Sequence, residues 1–298
     1  MKYKTIIDTV CLQIDTIQED IRNTILEGIL GLYQKYNLYV AYKDYPINQH
    51  SNFYVREYYA YANNVVVASI RAGSFSVKDS VTTTTVTTYY ISLEFAGLMT
   101  YNQQRDKITN DTLFKTCAYI NTRQITFKLT GLDISLDLFT KYEHVLALCT
   151  KKSPKTAYWT ANALQWFDTT SYMEKIPNHK LQLAVQRAYL YDKAIKENLP
   201  YDLTRFEVKL QPKFFNKNRD NIIAGIMNTL DRYHVMYIPN KKEMQHLMDQ
   251  YDAHSILRDR DIKRLKFDNY RCYYDISAIV GFINHMFTVQ EQNMFAIA

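Results

Sequence analysis

Apolar and polar positions alternate at the start of the chain and then change to helical spacing. Residues 4–14 alternate, which predicts a strand, and apolar residues recur at the spacing of one helix face from Glu19 to Tyr36. Between residues 38 and 95, β-branched and aromatic runs predict strands at 38–42, 53–61, 65–71 and 86–95. A strand, a helix and a group of antiparallel strands therefore open the fold.

The pattern continues with a helix at 106–120, a long strand at 124–138 and a helix at 139–149. Strand-like segments at 181–193 and 205–210 flank a turn at 198–200, and the pieces 222–233, 241–251 and 276–287 have helical character. This order predicts an α+β fold with a largely antiparallel central sheet, which can consist of two duplicated halves, and flanking helices. We expect one domain at 1–212 and a helical C-terminal region at 213–298.

Composition narrows the function classes. The chain has 298 residues with 7 glycines, and it contains no glycine-rich phosphate-binding loop, which argues against nucleotide-triphosphate hydrolysis. The net charge of +6 is compatible with a polyanionic partner. No membrane-spanning run or export signal is visible, and the 4 cysteines lie far apart. We therefore expect a cytoplasmic protein without a membrane partner.

Two aspartates lie four residues apart in the predicted strand at 130–139, TGLDISLDLF. Side chains alternate along a strand, so Asp133 and Asp137 share one face. Two anions on one face need a partner, and a divalent cation such as Mg²⁺ or Mn²⁺ prefers oxygen ligands. The alternative is a solvated sheet face that binds no metal.

A second group of polar residues flanks the predicted turn at 198–200. Tyr191 and Asp192 lie on one limb of this hairpin, and Arg205, Glu207 and Lys209 alternate on the other. A tyrosine hydroxyl beside carboxylates and cations is suited to metal-assisted attack on a phosphodiester. The alternative is packing combined with an ion pair.

These segments resemble plasmid rolling-circle replication initiators of the Rep_trans type and, more distantly, filamentous-phage gene II replication proteins. TGLDISLDLF is similar to the family's acidic strand, and LYDKAIKEN followed by TRFEVKL is similar to its tyrosine strand and the strand after it. The segments ISLEFAGLMTY at 91–101 and IIDTVCLQID near the start also resemble family strands. The resemblance covers about residues 4–211.

The resemblance implies an endonuclease that nicks DNA and stays joined to the 5′ phosphate through a tyrosine. Tyr191 lies where the family has its nicking tyrosine, and Arg205 matches an arginine of the family's later strand. Together with Lys209, which the hairpin pattern places beside it, Arg205 is expected to act as a cationic catalytic residue. The implied ligands for Mg²⁺ or Mn²⁺ are Asp133, Asp137, Asp192 and Glu207. The implied partners are single-stranded, hairpin or origin-like DNA, a helicase or recombinase, and a second copy of the chain.

The sequence also departs from the family pattern. Gly131 replaces an arginine, Leu138 replaces a third acid, and the Gly-Ser element before the tyrosine strand is missing. Loss of one such element can leave the fold and DNA binding while it removes nicking. The alternative function is therefore a non-catalytic accessory factor that binds DNA and assists a recombinase or the transfer machinery of a mobile genetic element.

Overall fold

The computed structural model describes residues 1–44, 55–78, 85–149, 166–167, 170–172, 186–240, 242–243 and 270–290. The strands in these ranges are β1 (Tyr3–Thr16), β2 (Tyr39–Asp44), β3 (Val55–Ala62), β4 (Val65–Lys78), β5 (Thr85–Ala96), β6 (Lys128–Leu138), β7 (Val145–Cys149), β8 (Trp166–Phe167), β9 (Thr170–Tyr172), β10 (Gln186–Asp192), β11 (Thr204–Leu210), β12 (Tyr233–Tyr237) and β13 (Arg271–Cys272). The helices are α1 (Glu19–Lys35), α2 (Gln103–Thr122), α3 (Lys193–Glu197), α4 (Pro212–Lys217), α5 (Ile222–Leu230) and α6 (Ile276–Thr288). The predicted α+β class with a largely antiparallel sheet is confirmed.

Contacts divide the chain into two compact units. Unit 1 comprises Met1–Ile7 and Asp133–Val280, and unit 2 comprises Asp8–Leu132 and Gly281–Ala298. In each unit a long segment is joined by a short segment from one end of the chain. The sequence predicts a domain boundary after residue 212. This boundary does not coincide with either limit of the two units, and the predicted domain division stays a prediction. Within the described ranges, no helix combines the length and the apolar character needed to cross a bilayer.

The core of unit 2 is built on an antiparallel sheet on which helices α1 and α2 pack. Its strands follow the order β2-β3-β4-β5-β1. Helix α1 packs on β2 and β5, and α2 packs on β4 and β5. Alternate strand residues such as Leu12, Ile70 and Leu93 are fully buried, as are Ile29 of α1 and Leu113 of α2. The period-two pattern of the sequence therefore places one face of this sheet in the core.

Helix α2 is buried although much of its sequence is polar. Asn102 caps its N-terminus by accepting a hydrogen bond from the backbone N–H of Arg105 at 3.1 Å. Thr112 and Thr116 lie on its buried face, and each hydroxyl donates at 2.7 Å to the carbonyl four residues earlier. These local hydrogen bonds satisfy the hydroxyls, so threonine can occupy positions that an apolar residue would otherwise fill.

Unit 1 contains the segments with the candidate chemistry. Its larger sheet has the order β6-β11-β10-β9-β8, and a smaller one has the order β13-β12-β7. Phe206, Val208 and Leu210 of β11 alternate into the core, where the ring of Phe206 lies 5.4 Å from that of Tyr233 in β12. The other residues of β11 are thereby directed to the opposite face.

Two predicted elements differ from the structure, and a third lies largely outside the described residues. The predicted helix at 139–149 is wrong: a 3-10 turn at Tyr142–His144 leads into strand β7, which pairs with β12. The predicted helix at 222–233 ends as α5 at Leu230, and the chain turns into β12, so the region after 213 is not all helical. Apart from residues 242–243, the predicted helix at 241–251 lies outside the described residues.

Candidate functional site

Strands β10 and β11 align polar side chains on one face of the unit 1 sheet. Their register places Tyr189 opposite Glu207 and Tyr191 opposite Arg205. Directly paired residues of antiparallel strands point to the same face, and Lys209 follows Glu207 at the strand period of two. The predicted hairpin limbs are therefore confirmed, with the short helix α3 and a left-handed Asn198 in the connection.

Asp137 of β6 forms a buried ion pair with Arg205 of β11. Arg205 Nε lies 2.6 Å from Asp137 Oδ1, Arg205 Nη2 lies 2.8 Å from Oδ2, and both side chains are 0% exposed. This is the two-pronged geometry in which a guanidinium binds both carboxylate oxygens. The negative charge of Asp137 is thus compensated by a protein cation.

Lys209 binds the second aspartate of β6. Its Nζ lies 2.7 Å from Asp133 Oδ2 and 3.9 Å from Glu207 Oε1. Burial alone would lower the pKa of Lys209, but the negative charges of Asp133 and Glu207 outweigh that effect and raise it above its ordinary value. Lys209 therefore carries a firmly held positive charge between two carboxylates.

Glu207 accepts hydrogen bonds from two tyrosines. The hydroxyl of Tyr191 donates to Glu207 Oε2 at 2.9 Å, and the hydroxyl of Tyr189 donates to Oε1. Burial, followed by the charges of Glu207 and Asp133, raises the pKa of Tyr189 above its ordinary range. Tyr191 is 3% exposed, so its hydroxyl faces the protein interior.

Asp192 does not join these residues. Its carboxylate caps α3 by accepting a hydrogen bond from the backbone N–H of Ile195 at 2.9 Å. As the strand neighbour of Tyr191 it points to the opposite face of β10. The structure thus brings together six of the seven residues predicted from the sequence, and adds Tyr189. We call the resulting group the tyrosine–carboxylate cluster: Asp133, Asp137, Tyr189, Tyr191, Arg205, Glu207 and Lys209.

Two tyrosines were missed by the sequence reasoning. Tyr189 precedes Tyr191 by two positions, so the strand period alone could have placed both on one face. Tyr274 follows β13, and its buried hydroxyl has no hydrogen-bond partner among the described residues. Burial and then the charge of Glu207 raise the pKa of Tyr274 well above its ordinary value. No local pattern links Tyr274 to Glu207, because the electrostatic interaction of the two residues depends on the fold.

The placement of charges is unfavourable to a resident Mg²⁺ or Mn²⁺. These ions need carboxylate oxygens that are open to coordination. Arg205 holds both oxygens of Asp137, Lys209 binds Asp133, and two tyrosines donate to Glu207. Among the described residues, no group of three or more acidic, His or Cys side chains is arranged to hold a metal ion. The predicted ligand set therefore does not fit the ion as placed, and its metal role stays a prediction.

The comparisons with known proteins include a distant structural similarity. No protein-family model matches the chain, and no curated protein matches it. Among solved structures, the chain is similar to a rolling circle replication initiator protein from Geobacillus stearothermophilus, with a TM-score of 0.40 and 14% identity, covering 84% of this chain and 96% of that chain. Similarity at this level carries no inference about function.

Proposed function

We propose that this chain binds DNA without cutting it, as a non-catalytic relative of rolling-circle replication initiators. In this function it assists the recombination or transfer machinery of a mobile genetic element. The observation that carries the non-catalytic part is the buried ion pair of Arg205 and Asp137. A guanidinium that binds both oxygens of a buried carboxylate compensates its negative charge, so Asp137 attracts a catalytic cation less than a carboxylate without a protein cation would.

The environment of Tyr191 supports the same conclusion. A nucleophilic tyrosine must bring its oxygen to a DNA phosphate, but Tyr191 is 3% exposed and its hydroxyl is directed to Glu207. The ammonium of Lys196 lies 4.8 Å from the centre of the Tyr191 ring. A phosphate would have to enter a buried site that already holds a carboxylate, and the like charges would repel each other.

DNA binding is supported by charge and by the motif resemblance. The chain carries a net charge of +6 and has a pI near 8.9. Positive side chains that neutralise phosphates release counterions, so binding of this kind weakens steeply with salt. The acidic and tyrosine strands resemble those of proteins that act on DNA, and these two features together favour DNA over other polyanions.

A nickase is the second candidate, and one observation favours it. The hydroxyl of Tyr191 lies 2.9 Å from Glu207, within the reach of a general base. In that reaction Glu207 takes the tyrosine proton and the tyrosine oxygen forms a bond to phosphorus. The bond between phosphorus and the 3′ oxygen of the preceding nucleotide breaks, and Glu207 returns the proton to that oxygen, which leaves as a 3′ hydroxyl. This candidate requires the tyrosine–carboxylate cluster to open to the substrate.

A single set of reactions separates the two candidates. Labelled single-stranded and hairpin DNA is incubated at low salt with the full chain and Mn²⁺, and each sample is run on a native gel and on a denaturing gel. Tyr191→Phe is compared with Tyr189→Phe, a matched variant that removes the other hydroxyl on Glu207. We expect a retarded complex on the native gel for all three proteins and no covalent adduct.

Two results would contradict the proposal in different ways. A Mn²⁺-dependent adduct on the denaturing gel that Tyr191→Phe abolishes and Tyr189→Phe retains would establish the nickase. Absence of any retarded complex at low salt, with correctly folded protein, would refute DNA binding itself.

A further inference from the structure

Positive charge is concentrated at the corner that helices α4 and α5 of unit 1 form with the short turn between them. Three cations, Lys213, Lys217 and Arg219, lie within seven residues of the chain, and all three are exposed. Asp220 is the single acid between residues 212 and 221, so three cations and one acid leave this segment an excess of two positive charges. We call Lys213, Asn216, Lys217 and Arg219 the basic corner.

The three cations of the basic corner have no acidic partner within the described part of the chain. Elsewhere on the surface, carboxylates compensate cations of similar exposure. Arg56 Nε lies 2.6 Å from an Asp44 oxygen, and Lys128 Nζ lies 2.5 Å from an Asp15 oxygen. A surface cation without such a partner directs its charge to the solvent. The basic corner is therefore a place where an external anion would supply the missing counter-charge.

Contacts on the inner side of the basic corner fix its backbone. Phe214 and Phe215 of α4 are buried, and their ring centres are 5.2 Å apart. Asn218 donates from Nδ2 to the Phe214 carbonyl at 2.8 Å, and its own carbonyl accepts from the backbone N–H of Asn221 at 3.0 Å. Gly225 of α5 permits this close approach, because a Cβ there would lie 2.6 Å from the Asn218 side chain. The cations are thus attached to a preformed backbone, which lowers the entropic cost of binding a ligand.

We infer that the basic corner contacts the phosphate backbone of DNA, an inference that rests on the proposed DNA-binding function. Phosphate oxygens in protein–DNA complexes are bound by lysine and arginine and by amide side chains such as asparagine. Asn216 is exposed between Lys213 and Lys217 and supplies such an amide. Contacts of this kind position the protein on DNA and do not read the bases. The basic corner therefore binds DNA without regard to its sequence.

The side chains at the basic corner favour a nucleic acid over a protein or a bilayer as the partner. The centres of protein interfaces are enriched in aromatic residues and methionine and depleted in lysine. Helices that lie on a bilayer expose an apolar face that enters the lipid. Between residues 212 and 221 both aromatic side chains are buried, and the exposed positions are proline, lysine, asparagine, arginine and aspartate. This segment offers charge and amide groups without an apolar anchor, which suits a partner whose anionic groups form its outer surface, as in DNA.

The experiment measures the affinity of the full chain for labelled duplex and single-stranded DNA by fluorescence anisotropy over a range of salt concentrations. The basic-corner variant combines three substitutions: Lys213→Gln, Lys217→Gln and Arg219→Gln. The control variant removes three exposed cations that lie far apart in the chain and also lack a described acidic partner: Lys35→Gln, Lys107→Gln and Lys141→Gln. Each phosphate contact contributes about 0.7–0.9 to the slope of log affinity against log salt. We expect the slope to fall by about two to three in the basic-corner variant and by less than about one in the control, although both lose the same net charge.

The other outcomes overturn the inference. If the two variants lower the slope equally, or if the basic-corner variant keeps the wild-type slope, DNA binding stands and the basic corner is not its contact surface. If the wild type binds neither DNA at low salt, the proposed function fails as well. Unlabelled DNA should displace labelled DNA at a lower concentration of charge than poly-glutamate does, and equal displacement would assign the basic corner to acidic proteins. Circular dichroism confirms that each variant is folded.

Discussion

Replacing Asp137 by asparagine removes the negative charge from a pair that is fully buried between β6 and β11. Arg205 then remains in the interior without its counter-charge. The two contacts, at 2.6 and 2.8 Å, are charge-assisted hydrogen bonds, each of which contributes about 1.5–3 kcal/mol. Removing one partner of a buried ion pair lowers the free energy of unfolding by about 3–5 kcal/mol, which agrees with the combined contribution of these two hydrogen bonds. We therefore expect Asp137→Asn to lose about 3–5 kcal/mol of unfolding free energy.

Urea unfolding measures this loss. With a slope of about 3 kcal/mol/M, the midpoint for Asp137→Asn falls by about 1 M or more. The control is Asp44→Asn, because Arg56 Nε also lies 2.6 Å from an Asp44 oxygen, but both side chains are exposed. An exposed pair contributes at most about 1 kcal/mol. Replacing Asp137 and Arg205 together by leucine and methionine recovers most of the loss, because no buried charge is left.

The reasoning is refuted if Asp137→Asn lowers the urea midpoint no more than Asp44→Asn does. That result would mean that Arg205 is hydrated or compensated by other groups, and the ion pair would no longer argue for a structural role of the cluster.

Three further changes test other parts of the structure. Asp192→Ala removes the cap of α3, so we expect the free energy of unfolding, measured in urea, to fall by about 1 kcal/mol. DNA affinity should not change, and a fall in affinity would contradict a purely structural role. Gly97→Ala places a Cβ on a residue with φ +74°, 3.0 Å from the Thr100 side chain, so we expect the free energy of unfolding to fall by about 1–3 kcal/mol. An unchanged urea midpoint would contradict this expectation. Tyr189 and Lys209 have raised pKa values, so the stability they contribute is complete below about pH 10 and falls as the pH rises further. The urea midpoint of Tyr189→Phe should therefore fall less than that of the wild type between about pH 9 and 11, and an equal fall would contradict this.

Local patterns were sufficient to predict most of the elements near the candidate site. The alternation around Asp133 and Asp137 correctly placed both carboxylates on one face of β6, and the same period aligned Arg205, Glu207 and Lys209 on β11. Both predictions depend only on the strand period, which is a property of neighbouring residues.

The partners of these residues could not be predicted, because they are distant in sequence. Arg205 is 68 positions from Asp137, and no local pattern specifies that contact. The same carboxylate pair is compatible with a metal ion or with protein cations until the fold places a guanidinium beside it. Asp192 also differs from the prediction because of its surroundings: the short helix α3 begins directly after it, and its carboxylate caps the first turn of that helix.

The wrong helix at 139–149 has a comparable cause. Phe139, Tyr142 and Leu146 have helical spacing, but Val145–Cys149 is a short apolar run that suits a buried strand equally well. Pairing with β12 decides in favour of the strand, and β12 itself has only five residues. Tertiary contacts thus determined the conformation where the local signal was ambiguous.

Mn²⁺ binding tests most directly whether the carboxylates of the tyrosine–carboxylate cluster are compensated by the protein's own cations. The purified chain and its Asp133→Asn variant are titrated with Mn²⁺, and the free ion is followed by electron paramagnetic resonance. Charge compensation by Lys209 and Arg205 predicts that the two proteins give the same binding curve, because any ion bound elsewhere is common to both. A site present in the wild type and lost in Asp133→Asn would contradict this, and would return the cluster to the role of a metal-dependent nicking centre.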